Sequence, residues 1–231
     1  MSIFFDTLSR ALERQNIRHT REQVILCEEY FKLAASANEH MNLTRITDEE
    51  QAALRHFADA ARLLEFYSLP EGCRVIDIGS GAGFPGIPIK ILRPDIDITL
   101  LDSSGKKTDF ISASAASLGI NVTVVCARAE EAAKTHIRGY FDAAVSRAVA
   151  PLNMLLELCV PFLRVGGTLA AWKGESYEEE LSEARGALGA LHCSATGVHF
   201  LGPGAIILIE KQKPTPDIYP RRFAKIKQKP L

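Results

Sequence analysis

The stretch that decides the fold of this sequence is Asp77-Ile78-Gly79-Ser80-Gly81-Ala82-Gly83-Phe84-Pro85-Gly86. It follows a short apolar run typical of a β-strand and precedes a segment with helical spacing. Glycines at such a junction permit a tight turn and a close approach of the backbone to a ligand. The first turn of the following helix can present N–H groups to an anion. The stretch therefore predicts a nucleotide-binding turn in an α/β domain.

Short apolar segments alternate with helical ones around and after this turn. Strands are predicted at Arg74–Ile78, Ile96–Leu101, Val122–Val125, Ala143–Ser146, Thr168–Trp172, Cys193–Phe200 and Ala205–Glu210. Helices are predicted at Pro85–Leu92, Gly105–Leu118, Pro151–Phe162 and Tyr177–Leu188. This alternation indicates a mostly parallel sheet covered on both faces. The last two strands, separated only by residues 201–204, are expected to form an antiparallel hairpin.

The N-terminal part of the chain has the spacing of successive helices. One helix is predicted over about Arg21–Ala37, where apolar residues recur at helical intervals. Another is predicted to begin at a capping box, with Thr47 as the N-cap and Glu50 three residues later. We therefore expect an N-terminal helical segment packed on the core over residues 1–70, a cofactor-binding domain over 71–210 and a tail over 211–231.

Charge is unevenly distributed along the 231 residues. The formal net charge is only −1, with 47% hydrophobic and 24% charged residues, which excludes disordered, collagen-like and coiled-coil proteins. Seven basic residues and one acidic residue follow Glu210, so the tail carries +6 and the rest of the chain carries −7. The basic tail is therefore a candidate for contacts with phosphates.

Cysteine, histidine and apolar patterns narrow the class of protein further. The five cysteines form no C-x-x-C pair and are odd in number, which favours a reduced, cytoplasmic protein. The six histidines lack metal-ligand spacing, so no metal site is predicted. No apolar run approaches the roughly 18 residues of a membrane span, and the first residues lack the features of a signal peptide.

Two kinds of cofactor fit the glycine-rich stretch. Residues 81–86 match the G-x-G-x-x-G pattern and Asp102 follows about 20 residues later, as in NAD-dependent oxidoreductases. However, the glycines begin one step earlier, at Gly79, and Asp77 could offset the charge of a methionine ammonium group. The predicted sheet also ends near residue 210 without a following substrate domain. These features favour S-adenosylmethionine over NAD.

Polar residues follow successive predicted strands. Asp102 ends the second strand, where it could accept both ribose hydroxyls or act as a turn aspartate. Ala129 and Glu130 follow the third strand, Arg147 follows the fourth and Lys173 follows the fifth. Ligands of such folds bind at the carboxyl ends of the strands. Arg147 is thus a candidate partner for a carboxylate or phosphate and Lys173 a candidate substrate contact, although either could be an ordinary surface or strand-end side chain.

These motifs resemble those of the RsmG (GidB) family of small-subunit rRNA methyltransferases. The resemblance extends from Asn38 to the C-terminus. Its most specific parts are the extended glycine motif and Ser146-Arg147-Ala148. The supporting parts are Asn42-Leu43-Thr44, His56 with Asp59, Leu101-Asp102-Ser103 with Lys106-Lys107, Ala127-Arg128-Ala129-Glu130, Lys173-Gly174 and Tyr219-Pro220-Arg221-Arg222.

The resemblance implies a Rossmann-like class I S-adenosylmethionine-dependent methyltransferase fold, with a seven-stranded, mostly parallel sheet and an N-terminal helical extension. It implies methyl transfer from S-adenosyl-L-methionine to N7 of a guanine in 16S rRNA, guanine 527 of the 530 loop. It implies cofactor contacts by Gly79, Phe84, Ala129, Glu130 and Arg147. The glycine pattern adds Gly81 and Gly83 to these expected contacts. Asp102 is added because it lies at the end of a predicted strand.

Methylation of guanine N7 makes modest chemical demands. N7 already carries an accessible lone pair, so neither a general base nor a covalent intermediate is needed, and orientation of the reactants can supply about 7–11 kcal/mol of the barrier. The segment after the fourth strand has neither an Asn/Asp-Pro-Pro-aromatic motif nor a cysteine nucleophile. We therefore expect no acid–base residue. The positioning candidates are Arg147, Lys173, Asn42, His56 and Asp59.

The expected partner is 16S rRNA or the small ribosomal subunit, with no membrane and no metal, and nothing in the sequence requires more than a monomer. Three alternatives stay open at this point. The chain could methylate another RNA or a small molecule, it could be an NAD-dependent oxidoreductase, or it could bind RNA without catalysis.

Overall fold

The computed structural model describes residues 2–41, 43–44 and 46–231. Its helices are Ile3–Arg14 (α1), Arg21–Met41 (α2), Glu49–Ala52 (α3), Asp59–Ala61 (α4), Leu63–Phe66 (α5), Gly86–Leu92 (α6), Gly105–Ser117 (α7), Ala129–Ala132 (α8), Leu152–Cys159 (α9), Tyr177–Glu183 (α10), Arg185–Ala190 (α11) and Phe223–Gln228 (α12). Its strands are Arg74–Ile78 (β1), Asp97–Asp102 (β2), Thr123–Cys126 (β3), Phe141–Arg147 (β4), Leu163–Lys173 (β5), Cys193–Leu201 (β6) and Gly204–Lys211 (β7). A π-helical segment, Ala53–Ala58, joins α3 to α4, and a 3₁₀ turn, Val160–Phe162, follows α9.

In the described part of the chain, seven strands form one sheet in the order β3-β2-β1-β4-β5-β7-β6. The β2–β3, β1–β4 and β4–β5 pairs are parallel. Strand β7 lies between β5 and β6 and is antiparallel to both. The predicted α/β fold with a mostly parallel sheet is therefore confirmed, as is the closing antiparallel hairpin.

Helix ends differ from the predictions for local reasons. The expected N-cap Thr47 is wrong by one residue, because Asp48 caps α3 and its carboxylate accepts the N–H of Gln51 at 2.9 Å. A charged oxygen also interacts favourably with the positive end of the helix. The helix predicted over Pro151–Phe162 tightens into a 3₁₀ turn at Val160. The short helices α8 and α12 give no periodic signal and were not predicted.

The first compact unit consists of the N-terminal helices up to Gly72 together with Ser80–Cys126. Aromatic side chains from α1, α2 and the π-helical segment form part of its core. The ring of Phe4 stacks on Phe31 with centroids 5.2 Å apart and meets Phe57 edge-on at 5.0 Å. Such pairs contribute about 0.5–1.5 kcal/mol each beyond the area that they bury. The N-terminal helices thus share a core with the segment that continues the glycine turn.

The second compact unit consists of Cys73–Gly79 and the residues from Ala127 onward. It contains β1, β4, β5, β7 and β6, with α9 packed against α10, α11 and α12. Lys211, at the end of β7, is buried, and its ammonium group donates to the carbonyl oxygen of Leu163 at 2.6 Å. Burial lowers the pKa of Lys211 from 10.5 to about 8. Among the described residues, no helix has the length and apolarity to cross a bilayer.

Asp142 in β4 ties together the first residues of β1 and β5. Its Oδ2 accepts the backbone N–H of Arg74 at 2.8 Å, and its Oδ1 accepts Nε–H of Arg164 at 2.7 Å. Burial alone would raise the pKa of Asp142, but the hydrogen bonds from Arg164 and Arg74 outweigh it and lower the pKa from 3.8 to about 2. A group whose pKa is depressed in the folded state stabilises the fold above its unfolded pKa.

We expect Asp142→Asn to lower the free energy of unfolding by about 1–2 kcal/mol at pH 7, a value reduced because Arg164 is half exposed. The contribution is lost as the pH falls from about 4 through about 2, because the carboxylate then becomes protonated. Urea unfolding of the wild-type protein and of Asp142→Asn, at several pH values between about 2 and about 7, checks this prediction. A stability difference that does not change with pH would contradict the prediction.

Candidate functional site

Asp102 anchors the glycine turn within the first unit. It is 8% exposed, and its Oδ2 accepts the N–H of Gly81 while its Oδ1 accepts the N–H of Ser104, each at 2.9 Å. Asp102 is therefore a turn aspartate, one of the two roles predicted for it. Each carboxylate oxygen can accept a further hydrogen bond, so the expected role toward ribose hydroxyls is compatible with this geometry.

Gly83 must be glycine because of what surrounds it. Its φ is +90°, and a Cβ at this position would lie 2.5 Å from the hydroxyl oxygen of Tyr30 and 2.7 Å from Cγ1 of Ile87. The Tyr30 hydroxyl group donates to the carbonyl oxygen of Ala82 at 2.8 Å. Helix α2 thus fixes the course of the glycine turn through a fully buried tyrosine.

Phe84 is buried at the end of the turn and is surrounded by aromatic rings. The imidazole of His56 stacks on it with centroids 4.5 Å apart and an interplanar angle of 13°. The rings of Phe57 and Tyr30 meet Phe84 edge-on at 5.3 and 6.0 Å. The structure therefore brings two of the predicted site residues, His56 and Phe84, into direct contact.

His56 is oriented by a short chain of hydrogen bonds. Its Nε2 lies 2.8 Å from Oγ1 of Thr44, and the backbone N–H of Thr44 donates to Oδ1 of Asn38 at 2.7 Å. His56 lies in the π-helical segment, and Asp59 begins α4 three residues later, half-buried. π-Helical turns occur frequently at functional sites. Asn42, the other candidate from this region, lies outside the described residues.

In the second unit, Gly79 and Arg147 lie at one edge of the sheet. Strands β1 and β4 are parallel with Asp77 opposite Val145, so Gly79 and Arg147 follow at the same level. The φ of Gly79 is +72°, and a Cβ there would overlap the side chain of Val149. Ala148 also has a positive φ, +58°. A left-handed non-glycine residue is costly, and such residues cluster at functional sites.

Lys173, at the end of β5, holds the loop that follows Arg147. Its side chain is only 6% exposed, and Nζ lies 2.7 Å from Oε2 of Glu180. The same ammonium group donates to the carbonyl oxygen of Ala150 at 2.7 Å. The N–H of Leu152 donates to the same Glu180 oxygen at 2.8 Å. These contacts favour a positioning role for Lys173 over direct contact with a substrate.

Replacing Lys173 with methionine is expected to lower the free energy of unfolding by about 2–4 kcal/mol, because the variant leaves the largely buried carboxylate of Glu180 without its cation. Glu180→Gln should cost less, since its amide oxygen can still accept from Leu152 and Lys173. Chemical unfolding measures both effects, with Lys134→Met, on an exposed lysine, as the control. Equal stability of Lys173→Met and wild type would show that Lys173 does not hold the loop that follows Arg147.

Ala129 and Glu130 follow β3, as the sequence predicts, and they begin helix α8. Glu130 is 8% exposed and Ala129 is half-buried. They belong to the second unit with Gly79 and Arg147, whereas Gly81, Gly83, Phe84, Asp102, His56 and Asp59 belong to the first. Among the described residues, no group of His, Cys, Asp or Glu side chains is arranged to hold a metal ion.

Sequence reasoning missed three residues of these arrangements: Tyr30, Thr44 as the partner of His56, and Glu180. Tyr30 offered a signal, because a tyrosine on the apolar face of a helix needs a hydrogen-bond partner for its hydroxyl group. Glu180 offered none, since it stands in an acidic run with Glu178 and Glu179.

Comparison with known proteins decides the family. Residues 23–206 match the model of GidB, described as rRNA small subunit methyltransferase G. The chain belongs to the GidB family. This confirms the resemblance inferred from the motifs. A GidB relative from Desulforamulus reducens, named ribosomal RNA small subunit methyltransferase G, is 37% identical over 233 residues, 97% of each chain. A relative of the same name from Lactobacillus delbrueckii subsp. bulgaricus is 39% identical, with 99% of this chain and 98% of the relative covered.

Solved structures support the fold of this GidB member. A SAM-dependent methyltransferase from Aquifex aeolicus superposes with a TM-score of 0.54 at 20% identity, over 69% of this chain and 92% of that one. At this level of identity the likeness concerns the fold alone. The class I methyltransferase fold expected from the sequence is confirmed.

Proposed function

We propose that this chain transfers the methyl group of S-adenosyl-L-methionine to N7 of guanine 527, in the 530 loop of 16S rRNA. Membership of the GidB family supports a methyltransferase acting on small-subunit rRNA. The choice of atom and nucleotide is supported by the motifs that resemble the RsmG (GidB) family. The observation that carries the proposal is the glycine turn, in which Gly79 and Gly83 occupy positions that exclude a side chain.

The chemistry of the candidate residues fits this cofactor, which supplies an electrophilic methyl group on a sulfonium sulfur. Asp102 retains acceptor capacity for ribose hydroxyls, and the carboxylate of Glu130 can accept from a hydroxyl or amino group. The guanidinium of Arg147 matches a carboxylate, which it can bind with two parallel hydrogen bonds. Gly79 and Gly81, at positive φ, would bring backbone rather than side chains toward the ligand. The resemblance to the RsmG (GidB) family also assigns cofactor contacts to Phe84 and Ala129, and we propose both as such.

The residues of this chain act by orientation in the proposed reaction. Guanine N7 attacks with its own lone pair, so no side chain has to remove a proton before the methyl group is transferred. The stacked pair of His56 and Phe84 offers a rigid surface beside the glycine turn, and Thr44 restrains the imidazole. We propose that His56, Asp59 and Asn42 position the base, and that Lys173 acts through the loop it holds. Orientation of this kind can account for about 7–11 kcal/mol of a barrier.

The family favours this function over the alternatives that the glycine pattern left open. The G-x-G-x-x-G match of residues 81–86 is shared with NAD-dependent oxidoreductases, but the family model covers most of the chain, from 23 to 206. We also propose that the enzyme works in the cytoplasm as a monomer. Its five free cysteines support a reducing compartment, and a single chain supplies all the candidate residues.

Transfer of labelled methyl groups tests the proposal. The purified chain is incubated with methyl-labelled S-adenosyl-L-methionine and, in parallel, with protein-free 16S rRNA and small subunits from cells that lack the modification. We expect label in the rRNA and strand cleavage at guanine 527 after borohydride and aniline treatment, which cleaves at N7-methylguanine. Label at another nucleotide would contradict the proposed position, and label only in small molecules would contradict the RNA substrate.

A further inference from the structure

Within the second unit, the basic C-terminal segment is attached to residues that precede it in the chain. Arg138 holds it through three backbone carbonyl oxygens. Its Nη1 donates to Tyr219 at 2.8 Å, and its Nη2 donates to Thr215 at 3.0 Å and to Pro216 at 3.3 Å. One guanidinium thus donates to three carbonyl oxygens of the chain between β7 and α12.

A second attachment lies directly before α12. Glu157 on α9 is fully buried, and Arg221 satisfies both of its carboxylate oxygens. The backbone N–H of Arg221 donates to Oε1 at 2.7 Å, Nε donates to Oε1 at 2.8 Å, and Nη2 donates to Oε2 at 2.6 Å. Breaking a buried pair of this kind is strongly unfavourable. The completely buried Ile226 then packs α12 against α9.

The attachments divide the basic residues after Glu210 into two groups. Lys211 and Arg221 are engaged inside the protein. The other five are exposed, and no acidic residue follows Asp217: these five are Lys213, Arg222, Lys225, Lys227 and Lys229. The exposed guanidinium of Arg128 lies 6.0 Å from the ring centre of Phe223. Arg128 is the N-cap of α8, directly before Ala129 and Glu130.

We infer that Arg128, Arg222, Lys225, Lys227 and Lys229 form one surface, the tail patch, which binds the sugar-phosphate backbone of the RNA substrate. Arg138, Glu157 and Arg221 are positioning residues that hold this patch beside α8. The inference rests on the proposed function and identifies the surface that binds the RNA. Clustered cations on a fixed frame are the arrangement that neutralises phosphates, and no acidic residue follows Asp217 in the C-terminal segment.

Salt-dependent RNA binding tests the tail patch. The probe is a 16S rRNA fragment containing the 530 loop, and the variant is Arg222→Ala with Lys225→Ala. We expect about tenfold weaker binding and a slope of log Kd against log salt that is smaller by about 1.5, since each phosphate contact contributes roughly 0.7–0.9. The matched control is Arg10→Ala with Arg14→Ala, which removes two exposed cations from α1 and should bind like wild type. Cofactor affinity should not change in either variant.

The role of Arg221 is tested separately. Arg221→Lys keeps a charge that a phosphate would accept but cannot reproduce the geometry at Glu157. We expect it to reduce RNA affinity and the salt slope, because the patch residues on α12 lose their attachment to Glu157. Wild-type RNA binding by Arg221→Lys, together with a lowered Tm that shows the contact with Glu157 to be broken, would overturn the positioning role.

The outcomes separate this inference from the proposed function. If wild type labels 16S rRNA and the Arg222/Lys225 variant binds RNA with wild-type affinity and slope, the inference is overturned and the function stands. That result would also be expected if the patch bound an acidic protein. If wild type binds the fragment through the patch but never labels rRNA, the proposed function fails while the patch is retained.

Discussion

Arg147→Ala is expected to lower kcat/KM for methyl transfer by at least about 30-fold while the chain stays folded. Arg147 ends β4 at the same edge of the sheet as Gly79, and the residue is half-buried. Removing one partner of a buried charge pair typically costs about 2–5 kcal/mol, and about 1.4 kcal/mol corresponds to a factor of ten in rate. The loss should appear as a higher Kd for S-adenosyl-L-methionine, if Arg147 binds the cofactor carboxylate as proposed.

Arg147→Lys and Arg164→Ala make this prediction specific. A lysine keeps the charge but cannot form two parallel hydrogen bonds, so Arg147→Lys should fall between wild type and alanine. Arg164 lies near the start of β5, whereas Arg147 is opposite Trp172 near the end of that strand, and the side chain of Arg164 is half exposed. Arg164→Ala should therefore methylate like wild type. Isothermal titration with the cofactor and thermal unfolding separate binding from stability. Wild-type methylation by Arg147→Ala would remove Arg147 from the site.

Gly79→Ala is expected to weaken cofactor binding by about 100-fold or more and to destabilise the fold by about 1–3 kcal/mol. The stability loss comes from placing a side chain at a φ of +72°. The binding loss comes from the overlap between the new Cβ and Val149, which would displace the loop that carries Arg147. The two causes predict different responses to a second substitution.

Val149→Ala in the Gly79→Ala background removes the overlap but not the backbone strain. We therefore expect the double variant to recover part of the cofactor affinity while remaining less stable than wild type. The control is Gly189→Ala in α11, where a Cβ meets nothing within 4 Å and the helix should gain stability. Undiminished cofactor affinity in Gly79→Ala would show that the turn does not approach the ligand.

Much of the fold was predictable because local sequence carries it. The glycine turn, the seven strands and their alternation with helices are encoded in short-range periodicity and in residues such as Gly79, whose conformational freedom is intrinsic. The ends of elements were less predictable. Asp48 replaced Thr47 as the N-cap of α3, since two good capping residues stood side by side and packing chose between them.

The sequence by itself determined the family, the sheet and the identity of the turn, because these depend on short contiguous motifs. Only the tertiary structure decided what individual charged side chains do. From the sequence alone, Lys173 at a strand end and Arg221 in the basic tail would both be expected to be exposed cations. Arg221 is engaged by Glu157, 64 residues away, and Lys173 by a carbonyl 23 residues away. Partners at such separations come together only in the folded protein. A buried charge is tolerated only where the packed structure supplies a group that pairs with it.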